Sequence, residues 1–466
     1  MKQITRNYVW WENLDDDIER TVHDSEPYRA LRDTAPAPLH SWPWPTEPCT
    51  TGREPDVALS ERRLCGRLDL LRSDTGEQVH NKQAAQETGS PLSTEKWDGL
   101  KDSEGRIHEA EGVKQLIFRG GVAHSIRNIV WKYLLQYYKW DMTSSEIKAY
   151  QKKKTEEYYS MKLQWRSITE DQESRFSEYR DRKSLVEKDV NRTDRTHNFY
   201  AGDNNQNLVT LSDILMTYVM YNFDLGYVQG MSDILAPILL VMGNEVDSFW
   251  CFVGFMEKIA SNFNMDQADM LSQLAQVHQI ISFVCPDFAQ YLIQRDSSNM
   301  YFCFRWLLVW FKREFSYIDI VKLWEVLWTG LPCINFHLLV AVAILDSEKE
   351  VIMNNNYGFA EILKHVNELS MKLDVDSILS AAEGIYHQII SAPHLTNQIR
   401  IILGLPTLST STNTTDSLES ENKEIDAAAN SSQLSNGNRK AEETEQIYYR
   451  PEMEEVMYHI GLDFNF

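Results

Sequence analysis

The stretch FDLGYVQGMSDILAPILLVMG, residues 223–243, is an apolar run with one uncharged polar side chain, Gln229, at its start. Glycines lie on both sides of this glutamine, at Gly226 and Gly230, and glycine favours turns. The pair Ser232-Asp233 then precedes the longest apolar part, as is typical of a helix N-terminus. The stretch therefore predicts a turn that carries Gln229, followed by a buried helix.

The neighbouring segments continue with helical periodicity. Apolar residues recur three or four positions apart in LSDILMTYVMY, residues 211–221, and the pair Ser212-Asp213 predicts a helix N-terminus there as well. Residues 144–185 are rich in Lys, Glu, Tyr and Arg and predict one or two long exposed helices. Alternating patterns are scarce, so we expect an all-α domain over residues 106–400, with two lobes because about 290 residues exceed one usual core.

Composition changes on both sides of this domain. Residues 1–105 include a proline-rich part at 35–55 and predict a poorly ordered leader, or else a fragment of a larger domain. Residues 401–466 are rich in Ser, Thr, Asn and Glu and predict an acidic, mostly disordered tail. The final part, 447–466, regains aromatic residues and is compatible with a docking motif or a helix that folds back.

The charge balance excludes some classes of partner. The chain has 46 Lys+Arg against 68 Asp+Glu, a formal net charge of −22. Such a chain is not expected to bind nucleic acid or to adhere electrostatically to anionic membranes.

Cysteine and histidine spacing gives no support for a disulfide framework or a metal site. The six cysteines include no CxxC pair, and the twelve histidines include no helical i, i+3 or i+4 pair. The start of the chain has no signal-peptide pattern, and apolar runs such as 336–345 are shorter than a membrane span. We therefore predict a soluble, cytoplasmic protein that reaches membranes through partners.

Patterns of nucleotide-binding and hydrolytic enzymes are absent. The sequence contains no GxxxxGK[ST], GxGxxG, HExxH or GxSxG motif. Two polar sites remain, Gln229 and the segment LVEKDVNRTDRTHNFY at 185–200, in which Asp189 and Arg192 are neighbours on one helical face near a predicted helix end. Taken singly, each has an ordinary explanation. Arg192 can pair with Asp189 on the surface, and Gln229 can be a turn residue or cap a buried backbone group.

Taken together and in order, three segments resemble the TBC (Tre-2/Bub2/Cdc16) domain, the family of GTPase-activating proteins for Rab small GTPases. FRGGVAHSIRNIVWKYLL at 118–135 is similar to the opening segment, VEKDVNRT at 186–193 to the IxxDxxR motif, and GYVQGMSD at 226–233 to the YxQG motif. The resemblance covers about residues 115 to 345. The residues at family positions are Arg119, Gly121, Arg127 and Trp131; Val186 (in place of Ile), Asp189 and Arg192; and Tyr227, Gln229 and Gly230.

The resemblance implies a mechanism with two side chains supplied in trans. Arg192 would be an arginine finger, and Gln229 a glutamine finger that positions the attacking water. Asp189 would hold the arginine segment, while Tyr227 and Gly230 would shape the loop that carries the glutamine. GTP and Mg²⁺ would belong to the Rab, so the chain would activate its partner without a cofactor or an independent active site of its own.

The resemblance leaves three residues between two roles. Arg119, Arg127 and Trp131 would belong either to the structural framework or to the contact with the Rab. A catalytically idle scaffold that binds a Rab or an adaptor remains the alternative function.

Within the family, the finger segments are most similar to the subgroup of TBC1 domain family members 15 and 17. That subgroup implies a Rab of the late endosome as the target, a role in vesicle and endosomal traffic, and peripheral attachment to late endosomes or the mitochondrial surface.

Overall fold

The computed structural model describes residues 89–408, and the predicted disorder of the leader up to 88 and of the tail from 409 lies outside the described residues. Within 89–408 the only β contacts are two isolated bridges, Leu92 with Val122 and Lys101 with Ile107, so the predicted all-α class is confirmed. The helices in chain order are α1 Thr94–Gly99, α2 Ala110–Gly120, α3 Arg127–Leu134, α4 Ser144–Arg166, α5 Glu170–Arg175, α6 Ser177–Arg192, α7 Gln206–Tyr221, α8 Met231–Met242, α9 Glu245–Ile259, α10 Ala268–Val284, α11 Pro286–Gln294, α12 Phe304–Leu308, α13 Tyr317–Trp328, α14 Phe336–Asn354, α15 Phe359–Glu368, α16 Val375–Ile390 and α17 Asn397–Ile402.

Two groups of helices form the predicted lobes. In the first, α7 packs against α4, α6, α8 and α9. In the second, α14 packs against α10, α12 and α16, α13 packs against α16, and residues 309–316 connect α12 to α13. Helices α2 and α3 both pack against α13, and α3 also contacts α8 and α9, so the opening segment connects the two lobes. Among the described residues no helix is long and apolar enough to cross a membrane.

The prediction of one or two long helices over 144–185 is wrong, because three helices occupy this region. Thr143 and Thr169 each form a capping box, with Glu146 and Gln172 respectively, so a new helix begins after each threonine. Phe176 leaves the helical conformation and separates α5 from α6. Local side-chain capping therefore divides a segment that looks continuous by composition.

The two Ser-Asp pairs have different positions. Ser232-Asp233 lies in the first turn of α8, as predicted. The prediction for Ser212-Asp213 is wrong, because α7 begins earlier, where the Asn205 side chain accepts the backbone N–H of Asn207 at 2.8 Å. Asp213 instead lies inside α7 and is buried.

The folded region begins before the predicted boundary at 106. Leu92 and Trp97 are each 1% exposed. The Leu92 N–H donates to the Gly121 carbonyl at 3.0 Å, and Trp97 packs edge-on against Tyr133 with ring centroids 5.3 Å apart. At the other end Leu403 is 1% exposed, so the packed region extends past residue 400. Single buried residues in a polar context give no periodic signal, which explains why Leu92 and Trp97 were not predicted as part of the domain.

Candidate functional site

Asp189 joins the two polar sites that the sequence singled out. Its side chain is 4% exposed, and Oδ1 accepts a hydrogen bond from Nε of Arg192 at 2.9 Å. The other oxygen, Oδ2, accepts from the Ser232 hydroxyl at 2.8 Å, from the Gly230 N–H at 3.4 Å and from the Tyr227 hydroxyl. One buried carboxylate therefore connects the last turn of α6 with the turn that precedes α8.

Tyr227 is a donor in this arrangement. Burial and the neighbouring Asp189 carboxylate raise the pKa of Tyr227 well above its ordinary value, so its phenol stays protonated. A second link is made by Thr193, whose hydroxyl donates to the Asp189 carbonyl at 2.7 Å and lies 2.9 Å from the Ser232 hydroxyl. Hydrogen bonds thus fix the position of the Arg192 segment relative to the Gln229 segment.

Arg192 is the last residue of α6, and the chain becomes extended at Thr193. The sequence predicted a helix end at this residue and a contact with Asp189, and both are confirmed. The Arg192 side chain is 46% exposed although its Asp189 partner is buried. The helix end thus presents a guanidinium whose Nε is held by Asp189 while the side chain remains accessible to solvent.

Gly230 precedes α8 in a conformation that requires glycine. Its φ is 101°, in the left-handed region. A Cβ at this position would lie 2.9 Å from Cγ1 of Val309, which is closer than van der Waals contact allows. The turn of Gln229 therefore packs directly against the second lobe.

We expect Gly230→Ala to lower the free energy of unfolding by about 2–3 kcal/mol, because backbone strain and a steric clash add. Gly202→Ala is the matched control, since Gly202 has φ 83° but no atom within 4 Å of the added Cβ. Its cost should be about 1 kcal/mol, from strain alone. Urea unfolding of the purified chain compares the two, and equal costs would contradict the close packing at Gly230.

Gln229 itself is half-buried in the turn. Its Nε2 is shielded from solvent and meets no hydrogen-bond acceptor in the part of the chain that the structure describes. A buried, unpaired amide nitrogen costs about 1–3 kcal/mol. An acceptor brought by another molecule would satisfy this donor, provided that the side chain turns towards it.

Residues 124–353, which include Arg192 and Gln229, match the model of the Rab-GTPase-TBC domain family. This chain carries a Rab-GTPase-TBC domain. The family predicted from three short motifs is thereby confirmed.

Two curated relatives are similar to this chain over more residues than the domain model matches. Human TBC1 domain family member 17 is 50% identical over 319 residues, which cover 68% of this chain and 49% of that protein. The GTPase-activating protein GYP7 of Yarrowia lipolytica is 38% identical over 345 residues, which cover 69% of this chain and 47% of that protein. The chain spans about half the length of these relatives.

A solved structure has the same TBC fold. The crystal structure of the Ypt/Rab-GAP domain of Gyp1p aligns with a TM-score of 0.56 and covers 64% of this chain and 98% of that chain. The sequence identity is 21%, so this likeness concerns the fold.

In the TBC domain, Arg127 and Trp131 have the contacts of framework residues. Both bind Glu325 of α13, with Trp131 Nε1 donating at 2.7 Å to its Oε1. The Val122 N–H donates to the other oxygen at 3.0 Å. Burial acts to raise the pKa of Glu325, and Arg127 opposes this effect. Arg127 is 15% exposed and Glu325 is 0% exposed, so the cluster is largely buried. Its hydrogen bonds join the opening segment to α13 of the second lobe.

Arg119 also makes an intramolecular ion pair. Its Nη1 lies 2.7 Å from the carboxylate of Glu383 on α16. The Arg119 side chain is 30% exposed and its partner 7%. This contact fixes α2 against the second lobe, which is again the contact of a framework residue.

Sequence patterns did not predict the roles of several polar residues in the site of the TBC domain. Thr193 and Ser232 lie inside the motifs but carry no spacing signal of their own. Asp233 pairs with Arg313, which is 80 residues away along the chain, and no sequence pattern predicts such a contact. Within residues 89–408 no group of three or more His, Cys, Asp and Glu side chains is arranged to hold a metal ion.

Proposed function

We propose that this chain accelerates GTP hydrolysis by a Rab small GTPase, with Arg192 and Gln229 supplied in trans. The observation that carries the proposal is the shared carboxylate of Asp189, which binds Arg192 at one oxygen and the segment of Gln229 at the other. The Arg192 side chain, which is exposed at a helix end, is in this way joined to the turn that carries Gln229. The curated relative from Yarrowia lipolytica is named a GTPase-activating protein, which supports the same activity for this chain.

Arg192 would act on the charge that develops during hydrolysis. The transition state spreads negative charge over the γ-phosphoryl oxygens, and a guanidinium offers several donors in a planar fork. The hydrogen bond from Nε to Asp189 orients this fork before the partner arrives. A preoriented donor costs less reorganisation at the moment of reaction.

Gln229 would act on the attacking water. An amide can accept a hydrogen bond from the water through its oxygen and donate to the γ-phosphate through its nitrogen. The Nε2 of Gln229, which meets no acceptor within the described residues, would make the second contact after the side chain turns towards the partner. GTP and Mg²⁺ enter with the Rab, and the chain supplies side chains and no cofactor.

The proposal extends to the target Rab and to the membrane at which the protein acts. We infer that the partner is a Rab of the late endosome, as the resemblance to TBC1 domain family members 15 and 17 implies, and the 50% identity to human TBC1 domain family member 17 supports that subgroup for this chain. Recruitment to late endosomes or the mitochondrial surface would then proceed through partners, with a role in vesicle and endosomal traffic.

A panel of GTP-loaded Rabs tests the activity. With the purified full chain, we expect phosphate release from at least one Rab to accelerate by about 10³-fold or more. A late-endosomal Rab should be among those that respond. If Rabs bind the chain but none in a complete panel is accelerated, the scaffold alternative holds and the proposed activity is wrong.

A further inference from the structure

Lys312 reaches from the second lobe to the segment that follows Arg192. Its Nζ lies 2.8 Å from Oδ1 of Asp194, two residues after Arg192, and its side chain is 4% exposed. Asp194 has a φ of 48°, a left-handed conformation at the end of α6. The Tyr317 hydroxyl donates to its other oxygen, Oδ2. Lys312 and Tyr317 of the second lobe therefore both bind the turn that ends α6.

The next residue, Arg313, reaches the segment that follows Gln229. Its Nη2 donates to Oδ2 of Asp233 at 2.9 Å, and its Nε lies 3.3 Å and 3.2 Å from Oδ1 and Oδ2. Asp233 lies in the first turn of α8, and its side chain is 11% exposed. Two adjacent cations thus contact two different segments, one after each proposed finger.

Other contacts hold this pair of cations rigidly in the second lobe. Arg305 binds the fully buried Glu314 with two hydrogen bonds, from Nε to Oε1 at 2.7 Å and from Nη2 to Oε2 at 2.9 Å. The Ser370 hydroxyl donates to the Arg313 carbonyl at 2.6 Å, and the Met371 N–H donates to the Glu314 carbonyl at 2.8 Å. The backbone that carries the two cations is therefore fixed from both sides.

Electrostatics link these contacts to the proposed site. Burial acts to raise the pKa of Asp233, but the charges of Arg313, Lys312 and Arg192 outweigh it and lower the pKa below its usual value. Asp233 thus stays ionised at neutral pH and attracts all three cations.

We propose that Lys312 and Arg313 are positioning residues of the GTPase-activating site, Lys312 acting through Arg192 and Arg313 acting through Gln229. The inference rests on the function proposed above. Each cation removes freedom from one segment, so that both fingers meet the partner's nucleotide in a fixed relation to the second lobe. Loss of either cation leaves a largely buried carboxylate without its cation, so we expect the free energy of unfolding to fall, while the folded variant should still bind the Rab and catalyse the chemical step more slowly.

Double substitutions test the assignment of each cation to one segment. We expect Lys312→Met and Asp194→Asn each to lower kcat about tenfold, and the variant with both changes to be less than about twofold slower than either one, because both changes remove the same contact. Arg313→Met should also lower kcat about tenfold, and its loss should multiply with that of Lys312→Met to about 100-fold, because the two cations act on different segments. Single-turnover hydrolysis with the full chain and a responsive Rab measures each rate.

Further readouts separate positioning from simple destabilisation. KM for the Rab should change less than about twofold, because neither cation is expected to contact the partner. Arg313→Lys should recover part of the rate, since it keeps the charge at Asp233 without the fork. Asp194→Asn reports on the Lys312 contact from the other side and should reproduce the Lys312→Met pattern. The control is Lys322→Met, which removes a surface ion pair with Asp376 and should leave kcat and KM unchanged.

The outcomes are distinguishable from failure of the proposed function. If wild type accelerates no Rab, the function and this inference both fall. If wild type is active but Lys312→Met or Arg313→Met leaves kcat unchanged, if the losses of Lys312→Met and Asp194→Asn multiply, or if KM rises while kcat holds, this inference alone is overturned. Losses that multiply between Lys312→Met and Arg313→Met but not between Lys312→Met and Asp194→Asn, with KM unchanged, support it.

Discussion

Arg192→Ala is expected to slow Rab GTP hydrolysis in the presence of this chain by about 10³–10⁵-fold. This loss corresponds to about 4–7 kcal/mol of transition-state stabilisation. Stability should fall only modestly, because the buried Asp189 keeps its hydrogen bonds from Tyr227, Ser232 and the Gly230 N–H when Arg192 is removed. Single-turnover phosphate release with a responsive Rab gives the rate, and urea unfolding gives the stability.

Lysine at this position distinguishes a finger from a simple cation. Arg192→Lys keeps the charge and removes the planar fork, so the rate should remain close to that of Arg192→Ala. The matched control is Arg175→Ala on α5, where the arginine is 76% exposed and pairs with Asp171 one turn away. Arg175→Ala should leave the rate unchanged. Near-full activity of Arg192→Lys would show that charge alone suffices and that the finger assignment is wrong.

Gln229→Ala is expected to lower the rate by about 10²–10³-fold, because a positioned hydrogen-bonding group is lost from the transition state. Folding should be unaffected or slightly improved, since the buried and unpaired Nε2 is removed. Gln229→Glu should also be inactive, because a carboxylate accepts from water but repels the γ-phosphate. The same hydrolysis assay applies.

A glutamine away from the site provides the control for this variant. Gln276 of α10 donates to the Ser272 hydroxyl at 3.2 Å on the surface, and Gln276→Ala should keep the wild-type rate. If Gln229→Glu retained wild-type activity, the amide would have no role in placing the water. The proposal would then be reduced to a single finger.

Helical periodicity predicted most of the fold, and the failures have local causes. The apolar stripe of 211–221 predicted α7, but its start was misplaced because the capping side chain is Asn205, before the stripe begins. The segment around Leu92 and Trp97 was assigned to the leader because two buried residues among polar ones leave no period. Tertiary contacts, rather than local preference, decide such boundaries.

Local sequence patterns predicted only part of the candidate site. The i, i+3 spacing predicted the contact of Asp189 with Arg192, and the structure has it at 2.9 Å. Spacing could not predict that Tyr227 and Ser232 share the same carboxylate, because these residues are distant in the chain. The roles of Arg192 and Gln229 were suggested by the family resemblance alone, since each has an ordinary structural explanation when taken singly.

The most direct test of the two-finger mechanism uses a responsive Rab whose own water-positioning glutamine is replaced by leucine. Since Gln229 would supply this group in trans, wild-type chain should still accelerate hydrolysis by such a Rab to within about tenfold of the normal rate. The Gln229→Ala chain should give no acceleration with the same Rab. Loss of acceleration by the wild-type chain when the Rab lacks its own glutamine would contradict the account, because the water would then be positioned by the Rab and not by Gln229.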